Sequence, residues 1–354
     1  MSEVQTKQPA RIGYYDRLRV LAITAVILIH VCGSAATSLA AGGQPLQAGW
    51  HLANFLDAAS RFAVPLFLML TGALLLGSDQ ALSLRQLLSR RLPRVLVPLA
   101  FWTIVYWLLK WLTVADFSPA DAILHFFQRP AEIHLWYLYA LTAIYLLLPV
   151  FRLITRHAGR RMVGYLLLLW FVFSSLWRAA AGLFPALALQ DYANLDILGG
   201  YAGYVLLGWY LASSPKLPNR TVCIALTAAG IAATTLLTWL MTRRSGELNA
   251  VFYQYFMPNV LITAVGIFGL FRRTDSRPAS RAVTMLSSLS FGVYLCHMLF
   301  FRLLEPAFAA LPLPAAVTML LLAAAVWLLS VLFSILLRQI PVVRFITLGE
   351  RFRS

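Results

Sequence analysis

The chain of 354 residues is 60% hydrophobic and only 12% charged. That much apolar surface exceeds what a soluble domain can bury, so an ordinary cytosolic or secreted globular protein is excluded. The formal charge of +16 falls in short clusters between apolar segments, which is the pattern of topogenic charge beside a membrane and argues against a nucleic-acid-binding face.

Apolar runs of span length predict an all-α, polytopic transmembrane bundle of about ten helices. They lie near 18–41, 50–76, 94–113, 134–151, 162–181, 197–213, 221–241, 256–271, 283–303 and 315–337. The second and third begin with amphipathic or Pro-containing turns suited to the interface, and the connection VADFSPADAILHFFQRPAEI is expected to fold back as a short interfacial helix. Basic residues gather in alternate connections: Lys7 to Arg19, Arg85 to Arg94, Arg152 to Arg161, Lys216 and Arg220, Arg272 to Arg281, and Arg338 to Arg353. The positive-inside rule makes that side cytoplasmic, with both termini on it. The other side holds Arg61, Arg178 and Arg302 against Asp57, Glu132, Asp191, Asp196 and Glu305, among others.

The whole chain, 1–354, reads as one integral-membrane domain with a cytoplasmic segment 1–17 and a cytoplasmic tail 338–354. The first apolar run is expected to be retained as a helix and not cleaved as a leader. Cys32, Cys223 and Cys296 all fall inside predicted spans and show no CxxC or Cys/His metal spacing, so they read as small core residues.

The first span, RVLAITAVILIH, carries the ionisable pair Arg19 and His30. Charged groups inside a membrane helix are costly and mark functional positions. Eleven helical steps make about three turns, so both side chains share one face, about 16 Å apart along the axis. Arg19 is expected near the cytoplasmic surface and His30 deep on the same line. Imidazole titrates near neutrality, which suits His30 to take a proton from a hydroxyl. Asp16, one turn before Arg19, either orients that guanidinium or caps the helix.

Further along, SRRLPRVLVP puts Arg91 and Arg94 one turn apart at the cytoplasmic entrance to the third span, a pair able to clamp phosphate, though on the residues alone ordinary topogenic charge is the stronger reading. The ninth span, with SSLSFGVYLCHMLFF, places Tyr294 and His297 on adjacent turns deep in the bilayer. At the outer ends of spans stand Glu132 and His134 before LWYLYAL, read as interfacial residues beside Trp136 and Tyr137, and Arg302 with Glu305, read as a surface ion pair.

Five blocks taken together, YYDRLRVLAITAVILIH, VPLFLMLTG, RRLPRVLVP, HLWYLYAL and SLSFGVYLCH, resemble the membrane acyltransferase 3 family in its short form without a fused domain. The resemblance covers most of the chain. It implies transfer of an acyl group, usually acetyl from cytoplasmic acetyl-CoA, to a hydroxyl of a cell-surface or exported glycan, in a bacterial inner membrane. Residue by residue, it makes Arg19 with His30 the first-helix motif, Arg91 and Arg94 the R-x-x-R motif, and His297 the late histidine. In the family the first histidine is taken as catalytic and the arginines as donor-side residues.

The mechanism expected on this basis has Arg19, Arg91 and Arg94 holding the donor's phosphates while His30 acts as general base, with His297 or Tyr294 orienting the acceptor or stabilising the oxyanion. An acyl-histidine intermediate is the alternative route. No metal is expected. The expected partners are a glycan or lipid-linked sugar acceptor and membrane lipid, with no nucleic acid. A secondary transporter or a flippase of a lipid-linked sugar is the other class that buried His and Arg in a helix bundle allow.

Overall fold

The computed structural model describes residues 12–41, 47–77, 83–184, 187, 200–274 and 277–350. Lys7, Arg11, Asp191, Asp196, Gly199, Arg351 and Arg353, and with them most of the segment 1–17 and the end of the tail 338–354, lie outside the described residues. Among those described the structure is helical, with no strand.

In chain order the helices are α1 (Gly13–Ala40), α2 (Ala48–Ser60), α3 (Ala63–Leu76), α4 (Leu84–Gln86), α5 (Pro93–Thr113), α6 (Pro119–Leu124), α7 (Trp136–His157), α8 (Gly159–Phe171), α9 (Trp177–Leu183), α10 (Ala202–Ala212), α11 (Arg220–Ser245), α12 (Pro258–Arg272), α13 (Arg281–Ala309), α14 (Ala315–Gln339) and α15 (Pro341–Leu348). Joined where they run on, they give nine helical stretches among the described residues that are long and apolar enough to cross a membrane, and the shorter apolar helix α10 stands where a further span was expected. The protein is an all-α, multi-pass membrane protein. Exposed Ile104, Trp111, Leu112, Leu168 and Leu336 form part of its outward apolar surface, as a hydrocarbon surround requires.

Two expected irregularities have local causes. The second stretch breaks at Arg61 and Phe62 between α2 and α3, and the third opens with α4 followed by a π-helical turn, Leu87–Arg91, that carries Arg91. Such turns often accompany functional positions. The long connection contains the short helix α6, with Leu124 and Phe127 exposed beside it.

Helix α1 is central, packing on α2, α3, α12, α13 and α14. Helix α10 is held by glycines: a Cβ at Gly72 would lie 1.8 Å from the Val205 carbonyl oxygen, and one at Gly208 would lie 1.9 Å from that of Met69. Only glycine lets α3 and α10 approach so closely, which replaces side-chain interdigitation by backbone contact. At the basic end of the bundle, Arg17 donates to the carbonyls of Thr274 and Arg277, and Arg338 pairs with Glu350 at 2.8 Å.

Candidate active site

Three histidines meet in the bundle. The ring centroids of His30 and His297 lie 5.2 Å apart, those of His134 and His297 4.9 Å, and those of His30 and His134 6.4 Å. His297 is 0% exposed and His134 2%, whereas His30 keeps part of its surface open. His30 stands 17 residues after the start of α1, roughly 26 Å along the axis, so the cluster lies past the helix midpoint, toward the end opposite the basic one.

The orientation of His297 follows from its neighbour. Its Nδ1 lies 2.6 Å from the Tyr294 carbonyl oxygen. A carbonyl can only accept, so Nδ1 carries the proton and Nε2 keeps its lone pair. That Nε2 is buried among the rings without a hydrogen-bond partner. A buried polar atom left unsatisfied in this way is costly and is characteristic of reactive sites.

His134 comes from the one-turn 3-10 helix Ile133–Leu135 that leads into α7. Glu132, only 3% exposed, fixes this turn twice: its carboxylate accepts from the Ile133 N–H at 3.1 Å and from the Arg302 guanidinium at 3.0 Å. Arg302 sits five residues after His297 on α13, so one ion pair sets the two histidines against each other. This replaces the expected pairing of Arg302 with Glu305, which instead accepts from the Ser34 hydroxyl at 2.7 Å. Spacing favoured Glu305 because it is on the same helix; the fold brings a buried carboxylate from another element closer.

Tyr294 roofs the cluster. Its hydroxyl donates to the His134 carbonyl, and its ring contacts those of His134 and Tyr137 at 5.2 and 5.6 Å. Tyr106 closes another side, 5.2 Å from His134 ring to ring, with its hydroxyl bonded to the Leu295 carbonyl at 2.7 Å.

From the basic end a cavity of about 320 Å³ runs up to this roof, lined by Arg19, Thr71, Tyr137, Tyr145, Ser287 and Tyr294 among others. Arg19 and Tyr294 are at once its cation and its wall before the histidines. Asp16 does not cap α1; it accepts from the Ser287 hydroxyl at 2.6 Å and lies 3.9 Å from Arg19, so it is placed to orient that guanidinium. Arg91 and Arg94 do not line the cavity; Arg91 ends the π-helical turn Leu87–Arg91 and Arg94 stands in the first turn of α5.

From the opposite end a second, more open cavity of about 550 Å³ approaches, with Arg61, Arg178, Tyr201, Tyr253, Gln254 and Tyr255 in its lining. Arg61 pairs with fully buried Asp57 at 2.5 Å, and this pair lies against Gly33, one turn beyond His30. Among the described residues no group of three or more His, Cys, Asp or Glu has the arrangement of a metal site, and the three cysteines are buried and unpaired by disulfides.

Of the residues singled out from the sequence, the fold brings His30, His297 and Tyr294 together and puts Arg19 in the lining of the cavity that ends at Tyr294, while Arg91 and Arg94 stand outside that lining. Sequence reasoning missed His134, Glu132 and Arg302 as parts of the cluster, and Asp57 with Arg61 as its neighbours. The block HLWYLYAL contained the signal for His134, since its histidine opens a motif of the resemblance.

The family model of the acyltransferase domain, of the acyltransferase 3 type, matches residues 12–339. The chain belongs to this family of membrane acyltransferases. No curated protein and no solved structure matches it.

Proposed function

We propose that the protein is an O-acetyltransferase that moves an acetyl group from cytoplasmic acetyl-CoA to a hydroxyl of an exported or cell-surface glycan in a bacterial inner membrane. The observation that carries the reading is that the buried three-histidine cluster has a cavity on either side: one is lined by Arg19 and ends at Tyr294, which packs on His134 and His297, and the other is lined by Tyr255, which stacks on Trp136 two residues beyond His134. The basic end, cytoplasmic by the positive-inside rule, receives the donor. Arg19, Arg91 and Arg94 hold its phosphates with planar, charge-assisted donors, while the thin pantetheine arm enters the cavity and brings the thioester to Tyr294. A volume of about 320 Å³ is within the range of ligand pockets.

His30 is the general base, because it alone of the three keeps accessible surface. It takes the proton of the acceptor hydroxyl as that oxygen attacks the acyl carbon; the thiolate of the donor leaves and takes up a proton. The Nε2 of His297, which has no partner in the resting cluster, accepts an N–H of His30 once the acceptor is bound and so orients it, and Tyr294 swings from the His134 carbonyl to admit the thioester and donate to the developing oxyanion. An acyl-histidine on His30 is the second route, favoured by the same accessibility. As the pattern for the acceptor we take the O-acetyltransferase of enterobacterial common antigen, a short form of the family that the five sequence blocks resemble. The family assignment favours acyl transfer over transport.

The test is radiolabel transfer from acetyl-CoA in membranes carrying the protein, with extracted glycans as acceptors. Label on glycan with the wild type and none with His30→Ala supports the reading; equal transfer by both removes His30 from the chemistry. Absence of transfer with either, across a range of acceptors, overturns the acetyl-CoA assignment.

A further inference from the structure

The five sequence blocks of the resemblance end at His297, and the family match ends at residue 339. Beyond it the chain runs through α15 to Gly349 and Glu350, and this segment is fastened to two helices that matter for the donor: α5, which carries Arg94, and α13, which carries the serine wall of the donor cavity.

On α5 the buried Trp102 indole donates to the Thr347 carbonyl at 3.0 Å. Two residues on, Gly349 adopts a φ of 63° and lies so close to the Arg94 backbone that a Cβ there would collide with the Arg94 carbonyl oxygen. Both the positive φ and the close approach call for glycine. On α13 the buried Leu348 side chain packs on Gly292, two residues before Tyr294.

A third contact joins the two sides. Arg338, in the last turn of α14, holds the Glu350 carboxylate in a fork, with Nε and one terminal nitrogen each 2.8 Å from an oxygen. Its other terminal nitrogen donates to the Ser288 hydroxyl at 2.8 Å, and Ser288 lines the donor cavity. A single half-exposed ion pair contributes little, but a bidentate fork fixes geometry. One guanidinium therefore holds the segment after α14 by one edge and the cavity wall by the other. We propose that Arg338 and Glu350 are positioning residues of the donor site: their fork clasps this segment across α5 and α13 and so keeps Arg94 in register with the Ser288 wall. The inference rests on the acyl-transfer reading above and adds to it two residues outside its motifs.

The test is calorimetric CoA binding together with steady-state acyl transfer, on the full chain in lipid nanodiscs. Glu350→Gln and Arg338→Gln each weaken CoA binding and raise the donor KM about fivefold, the scale of a well-formed ion pair, while kcat and the melting temperature stay close to those of the wild type. Arg338→Lys gives no rescue, because a point charge cannot serve Glu350 and Ser288 together. Combining Arg338→Glu with Glu350→Arg recovers most of the CoA binding that Arg338→Glu alone loses. Affinity that falls only in step with the melting temperature marks a merely structural pair and overturns the proposal. Tighter CoA binding by Glu350→Gln overturns it as well, since the freed guanidinium would then be a phosphate ligand in its own right. Wild-type CoA binding that both glutamine variants leave unchanged removes the clasp and leaves acyl transfer standing, whereas a wild type that binds no CoA overturns the donor assignment and the clasp with it.

Discussion

The Arg302 guanidinium lies 3.0 Å from the Glu132 carboxylate, and this contact ties the helix that carries His297 to the turn that carries His134. The cluster is thus held from outside its own rings. Glu132→Gln keeps the hydrogen bond to Ile133 within reach but loses the charge, at a cost of about 1.5–3 kcal/mol for a charge-assisted bond. The expected outcome is a fall in kcat of about tenfold or more, with donor KM little changed, read from steady-state acyl transfer. A change confined to donor KM would show that the pair serves the other cavity.

Arg91→Ala and Arg94→Ala each raise the KM for the donor about tenfold while leaving kcat within a fewfold, because a phosphate contact away from the reacting carbon contributes equally to ground and transition states. Titration with free CoA checks the assignment independently. If both variants bind CoA as the wild type does, the two arginines return to a purely topogenic role.

Tyr294 separates the donor cavity from the histidines, so its two variants behave differently. Tyr294→Phe keeps the roof and removes the bond to the His134 carbonyl and the hydroxyl offered to the oxyanion; kcat falls by about a hundredfold on the scale of one lost donor. Tyr294→Ala opens the roof, and water then competes with the acceptor. Its signature is a higher ratio of donor hydrolysis to acyl transfer, measured as thiol release against glycan labelling.

Gly72→Ala forces a methyl group to within 1.8 Å of the Val205 carbonyl unless α3 and α10 separate. Overpacking of this kind costs about 1–3 kcal/mol. A lower melting temperature in detergent is expected. Unchanged thermal stability would mean that the two helices pack less closely than described.

Much of the architecture was legible because membrane helices declare themselves by length and hydropathy, and Arg19, His30 and His297 stood out as ionisable groups inside apolar runs. His134 did not. It opens a span, where an interfacial residue is the ordinary reading, and only the 3-10 turn fastened by Glu132 and Arg302 carries it inward against His297. Asp57 and Arg61 were counted as charges of the outer side for the same reason: nothing in their spacing reveals that α2 ends against Gly33. The Glu305 pairing failed because a helical neighbour is visible in sequence and a partner 170 positions away is not.

The central claim is that donor and acceptor reach the histidines from opposite faces of the membrane. Sealed inverted vesicles test it, with radiolabelled acetyl-CoA outside, at the face that was cytoplasmic, and the glycan acceptor trapped within. The account predicts label on the enclosed glycan with the wild type and a loss of about a hundredfold to ten-thousandfold with His30→Ala, the scale of a missing general base. Label appearing only on acceptor supplied outside, beside the donor, would contradict it.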